Sequence, residues 1–156
     1  MGEPVRYMER SRRYYEAQGF ERPYVWVHHE EVPFTVPEKP MADCTLAVIT
    51  TASLNVRDAA EPRAVASFES VDPPPRLFAS DLSWDRQATH MDDINAYLPI
   101  EALREFAASG RIGGLARRFH CAATEFSTRR TLQSDTPELL ARCRDDRADI
   151  ALLLPL

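Results

Sequence analysis

Apolar positions gather into two short runs and several helical stripes, separated by polar and proline-bearing stretches. Cys44-Thr45-Leu46-Ala47-Val48-Ile49-Thr50 is short, β-rich and apolar on both faces, which predicts a buried parallel strand. It ends in Thr50-Thr51-Ala52-Ser53, a small polar turn. Ile150-Ala151-Leu152-Leu153-Leu154 has the same character and predicts a second buried strand. Between them, Pro99 opens a stripe of Ile100, Leu103 and Ala107 that Gly110 stops, the pattern of an amphipathic helix. Asp135 or Thr136 is placed to cap a further helix, with Pro137 at its first position and Leu139, Leu140 and Cys143 turned inward. Glu138 and Arg142, four apart, form a favourable helix-surface pair.

Nearer the front, Pro4 and Gly19 bracket a stripe of Val5, Met8 and Tyr15, predicting a helix over 4–18 with arginines on its other faces. Prolines 23, 33, 37 and 40 then exclude helix and favour an extended arm, anchored by Tyr24, Trp26 and Phe34. Residues 55–76, charged and closed by Pro73-Pro74-Pro75, read as a surface loop, and 111–134 also read mostly as loop. Leu77-Phe78-Ala79 reads as a short strand. Strands alternating with helices give the α/β class. The expected form is an incomplete, mostly parallel Rossmann-like sheet with flanking helices and an extended N-terminal arm. Residues 1–156 are expected to form a single partial α/β domain, with helix and arm over 1–40 and the N-terminal part of the core over 41–156.

Composition narrows the function classes. With 44% apolar and 28% charged residues the chain belongs with folded domains, not disordered ones. A net charge of −5 argues against nucleic acid or an anionic membrane as partner. No apolar run approaches the roughly 20 residues that span a bilayer, and Met1-Gly2-Glu3-Pro4 lacks the features of a secretory signal. Cys44, Cys121 and Cys143 are odd in number and widely spaced, which argues against a disulfide framework and for a cytoplasmic protein. Lys39, the only lysine, sits between Pro37 and Pro40, so Schiff-base and phosphate-loop lysine chemistry lose their residue.

The polar segment 81–95 is the leading site candidate. Asp85, His90, Asp92, Asp93 and Asn95 can orient a substrate, relay a proton or bind a cation. Alternatively, Asp92 or Asp93 helps cap the helix near Pro99 and the rest face solvent. The spacing fits neither a calcium loop nor a zinc site, so no metal is expected. Thr50 and Thr51, at a strand's carboxyl end, can contact a ligand or simply satisfy the turn. Cys44 and Cys143 read as packing residues, and no cofactor is evident.

Several segments then carry a resemblance in the right order: Tyr14-Tyr15, Pro23-Tyr24-Val25-Trp26 and Leu46-Ala47-Val48-Ile49-Thr50-Thr51-Ala52. The most specific is Thr89-His90-x-Asp92-Asp93-x-Asn95-x-Tyr97-Leu98-Pro99, followed by Leu103-Arg104, Gly110-Arg111-Ile112-Gly113 and Arg118-Phe119-His120. Asp149-Ile150-Ala151-Leu152-Leu153-Leu154-Pro155 completes the series. Over nearly its whole length the chain resembles the selenoprotein B family of glycine, sarcosine and betaine reductases. The resemblance implies an oxidoreductase using thiol or selenol chemistry, a small-molecule amino-acid substrate, a thiol/selenol redox partner protein and a possible homo- or hetero-oligomer. It adds His120 to the supporting residues Thr50, Thr51, Asp85, His90, Asp92, Asp93 and Asn95. In that family the strand matching 150–154 runs into a cysteine or selenocysteine, then Pro, a second Cys and His. The catalytic residue is therefore expected just beyond Leu156, with termination at a UGA selenocysteine codon as the expected cause, and none is assigned within the chain. The rival expectation is a non-catalytic α/β module that binds a ligand or a subunit.

Overall fold

The structure, a computed structural model, describes residues 6–22, 25, 28–33, 35–53, 64–78, 91–122 and 127–155. It divides into two compact units, Met1–Thr35 and Val36–Leu156. In the first, helix α1 runs Tyr7–Ala17, and Gly19 takes the positive φ of +83° that suits a residue without Cβ just past a helix end. Tyr15 stacks edge-on with Tyr14 and with Phe20. None of the helix residues is buried within this unit.

The second unit is an α/β fold with an open, mostly parallel, incomplete sheet. In chain order come β1 (Thr45–Thr50), β2 (Val65–Glu69), α2 (Ile100–Ala108), β3 (Gly114–Leu115) and β4 (Arg118–Ala122). They are followed by a short helix α3 (Thr128–Arg130), α4 (Thr136–Asp145) and β5 (Ile150–Leu154). β1 lies at the centre, parallel to β5 on one side and to β3 and β4 on the other. β2 closes the β4 side antiparallel, with Ser67 opposite His120. Between Thr45 and Ile49 β1 advances four residues while its neighbour advances six, from Gly114 to His120. β3 and β4 are thus one strand interrupted by a bulge at Ala116 and Arg117, where the Ala116 N–H still bonds the Leu46 carbonyl at 2.8 Å.

The two-residue period sorts side chains onto two faces. Leu46, Val48, Phe119, Cys121, Ile150, Leu152 and Leu154 point to a core shared with Ile100 and Leu103 of α2. Thr45, Ala47, Ile49, Arg118, His120, Ser67 and Leu153 belong to the opposite face, where Arg142 of α4 meets Ser67. α2 and α4 therefore cover opposite faces. β1 is buried as its sequence predicts, and α2 runs from Pro99 to a turn at Gly110, whose φ is +72°.

Five expectations need correction. Residues 55–76 are not all loop, since β2 occupies 65–69, and 111–134 contain β3, β4 and α3. β5 is half-buried, not buried on both faces: Ile150, Leu152 and Leu154 pack on the core while Leu153 is 66% exposed. The last helical stretch starts at Ser127, whose hydroxyl accepts from the Arg130 N–H, so neither Asp135 nor Thr136 caps it. A π-turn at Thr131–Asp135 precedes Pro137, and a widened turn relieves the clash and lost hydrogen bond that proline imposes within a helix. Leu140 is also exposed and does not turn inward.

The amino end of β1 is pinned from two directions. Asp149 accepts from the Thr45 N–H at 2.8 Å and pairs with Lys39 at 2.8 Å. The Lys39 hydrogen bond, then the Thr45 N–H, hold the Asp149 carboxyl below its usual range. Gly113 presses on the chain entering β1, where an added Cβ would lie 2.7 Å from the Asp43 carbonyl carbon and 2.9 Å from the Cys44 nitrogen. Backbone cannot yield as a flexible side chain can, so Gly113→Ala is expected to destabilise by about 1–3 kcal/mol, read as a lowered urea midpoint at unchanged m-value.

Candidate functional site at the strand carboxyl ends and beneath the last helix

The carboxyl ends of β1, β4 and β5 form one row. Thr50 stands opposite Cys121 on one side and Leu154 on the other, and the Thr51 N–H donates to the Leu154 carbonyl at 3.3 Å. From β1 the chain order passes to β2 and β4 on one side of it and then to β5 on the other. The strand order thus reverses at β1, which makes the β1–β5 crevice a topological switch point, where open α/β sheets bind ligands. The loops beyond β1 gather nearby. Ser53 and Phe78 exchange backbone hydrogen bonds of 2.7 Å, and the buried Tyr97 hydroxyl donates to the carbonyls of Leu77 and Met91. Burial, more than any charge, raises the Tyr97 phenol pKa, so that hydroxyl remains a donor.

Of the sequence-derived site residues, Thr50 is fully buried and its hydroxyl accepts from the Ala52 N–H at 3.2 Å, the turn-satisfying alternative. Asp93 caps the single turn Ile94–Ala96 through the Asn95 N–H, not the helix at Pro99. Asn95 reaches Glu101 at 3.4 Å, and exposed Asp92 pairs with Arg76 at 3.3 Å. Asp85 and His90 lie outside the described residues. His120 is on the other face of the sheet from the Thr50 side chain, so these two described residues do not share one site.

His120 instead belongs to a cluster that sequence spacing conceals. Fully buried on β4, it places Nδ1 2.8 Å from the Ser67 hydroxyl of β2 and Nε2 3.6 Å from Asp146, which follows α4. Arg142 of α4 donates to the same Ser67 hydroxyl at 2.5 Å and also pairs with Glu138. Arg118 grips Asp146 through Nε at 2.9 and 3.0 Å and reaches Asp145 at 2.7 Å. A carboxylate near Nε2 favours the proton on that nitrogen, leaving Nδ1 to accept from Ser67. The Nε2 atom is buried without a hydrogen-bond partner. Burial lowers the His120 pKa below the usual imidazole value, aided by Arg118 and Arg142 and opposed by Asp146.

The cysteines offer no nucleophile poised by these surroundings. Cys44 and Cys121 are buried, and burial pushes the Cys121 thiol up to about 12, far from the depressed values of reactive cysteines. Cys143 is half-buried, and burial raises its pKa also. Among the described residues no group of three or more His, Cys, Asp or Glu side chains is arranged to hold a metal ion. No helix among them is long and apolar enough to cross a membrane.

No known family, curated protein or solved structure matches the chain in comparisons of sequence and fold.

Proposed function

We propose that this chain forms the substrate-side sheet of a cytoplasmic oxidoreductase of the glycine/sarcosine/betaine reductase type, with a cysteine or selenocysteine following β5 as its redox group. The observation that carries the reading is the switch point. β5 pairs along its whole length with central β1, so a segment continuing from Leu154 emerges beside Thr50 and Thr51. That is where an α/β sheet offers its ligand site. Sequence resemblance supplies the chemistry: a selenolate or thiolate displaces the substrate's amine, bonding selenium or sulfur to carbon. A neighbouring thiol then attacks that selenium or sulfur, so the carbon group leaves with the electron pair, takes up a proton and leaves a selenosulfide or disulfide for the partner's thiols to reduce. Buried Cys44 and Cys121 suit packing and are not assigned that role. A small amino-acid substrate and a thiol or selenol partner protein complete the proposed system.

The test begins with the nucleotide sequence after the Leu156 codon. A UGA followed by in-frame codons for Pro-x-Cys-His supports the reading, and UAA, UAG or no such continuation sinks it. The longer product is then expected to alkylate selectively at the residue after Leu156 and to cleave its substrate reductively. Turnover by the 156-residue chain alone would overturn the assignment. A non-catalytic ligand- or subunit-binding module is the second reading. It is favoured by the Thr50 hydroxyl and Asp93 carboxylate being committed to backbone N–H groups.

A further inference from the structure

We propose that Ser67, His120, Arg142 and Asp146 form an acid-sensitive latch that fastens α4 to the sheet and loosens it when His120 takes up a proton. This inference stands apart from the redox reading, since it rests on the opposite face of the sheet.

The tie that His120 touches is the Arg142 guanidinium of α4 on the Ser67 hydroxyl of β2, beside the Arg118 contacts to Asp145 and Asp146 that also join this helix to β4. That tie is compatible with neutral His120. Serine accepts from Arg142 and donates its own proton to Nδ1, so every group along the line has a consistent role. Protonation puts a hydrogen on Nδ1, facing the same oxygen. The serine proton must then turn away, and one neutral oxygen is left between an imidazolium and a guanidinium. The cheapest relief is for Arg142 to leave Ser67, which retains its Glu138 partner on the same helix.

The groups around His120 set the sign. From β4 comes Arg118 and from α4 comes Arg142, both repelling an imidazolium. Asp146, just past α4, attracts it, but its oxygens are already held by Arg118. Asp145 is likewise paired with Arg118 and Glu138 with Arg142. The raised pKa of Cys143 leaves a neutral thiol. β1 presents Ile49 opposite His120, and β2 presents Ser67. With its folded pKa below the unfolded value, His120 contributes stability that is whole above about pH 6.5 and is lost as pH falls through the lower folded value.

Hydrogen exchange of the α4 amides, corrected for the intrinsic pH dependence, reads the latch directly. The expected result is a severalfold loss of α4 protection between pH 7.5 and 5, while the β1 amides change less. His120→Gln, which has no titrating ring, should remove that pH dependence. Protection of α4 that is flat with pH in the unaltered chain overturns the latch, as does an undiminished acid loss in His120→Gln. Should that variant fail to fold, an NMR titration of the unaltered chain decides. A His120 imidazole titrating well below the ordinary imidazole value supports the latch, and one titrating at or above that value overturns it.

Discussion

Phe119→Ala is expected to lower the unfolding free energy by about 3–5 kcal/mol, the usual range for removing a buried phenylalanine from a core. Phe119 is 0% exposed and sits on β4, between β2 and β1. Its ring lies 5.5 Å from Phe68 across the antiparallel pair, and the surrounding core is built from Leu46, Val48, Leu103 and Ile112. Truncation removes the transfer energy of the ring and leaves a void that strands fixed in a hydrogen-bonded sheet cannot close. Domains of this size are stable by only about 5–15 kcal/mol in total, so the variant should approach the edge of folding. Leu153→Ala is the matched control, because that side chain is on β5 but 66% exposed. Its cost should stay within about 0.5 kcal/mol. Urea unfolding of both variants decides: comparable losses would mean that the core does not lie on the Phe119 face.

The contrast between these positions shows what the sequence could reveal. β1 and α2 are continuous stretches whose periodicity is uninterrupted, and both are legible. β5 has the composition of a strand buried on both faces, yet it lies on one side of β1 with Leu153 exposed. Composition fixes what a strand can tolerate, whereas its place in the sheet order depends on partners distant in sequence. The alternation of Arg118, Phe119, His120 and Cys121 is a period-two signal, but β3 and β4 are cut by the bulge at Ala116 and Arg117. Each piece alone is too short to stand out from a loop. β2 has Val65 and Phe68 three apart, which suggests no strand alternation. Its fifth residue is charged, and its place depends on pairing with β4.

The candidate site divides the same way. Thr50 and Thr51 could be placed at a strand's carboxyl end from the sequence, because that requires only the strand. The partners of His120 could not. Ser67 is 53 residues away, and Arg142 and Asp146 come from α4 and the residue just after it. No local spacing encodes a contact assembled from two strands and a helix. Conversely, Asp93 and Asn95 stood out as chemistry-bearing residues while their visible partners are a turn N–H and Glu101.

Arg118→Met should have the second large effect, a loss on the order of 3 kcal/mol, because it strands a buried carboxylate. Asp146 is only 3% exposed in its side chain, and the fork from Arg118 at 2.9 and 3.0 Å is its strong neutralising contact. The same contact raises the Arg118 pKa, so the guanidinium keeps its charge throughout the working range. Methionine preserves much of the aliphatic stem while removing every donor, which separates lost charge from lost packing. The informative comparison is the double variant Arg118→Met with Asp146→Asn. If the cost arises from an unpaired buried charge, neutralising Asp146 should recover part of it, with a coupling energy above about 1 kcal/mol in the double-mutant cycle. Additive losses would instead show that the pair is solvated and that the helix is held by other contacts. A surface pair between Arg117 and Glu69, 3.2 Å apart and largely exposed, provides the reference. Breaking it should cost no more than about 1 kcal/mol and should respond to salt, whereas the Arg118 fork should not. The difference between the two arginines, adjacent in sequence, follows from the bulge: it turns Arg117 outward and returns Arg118 to the face that α4 covers.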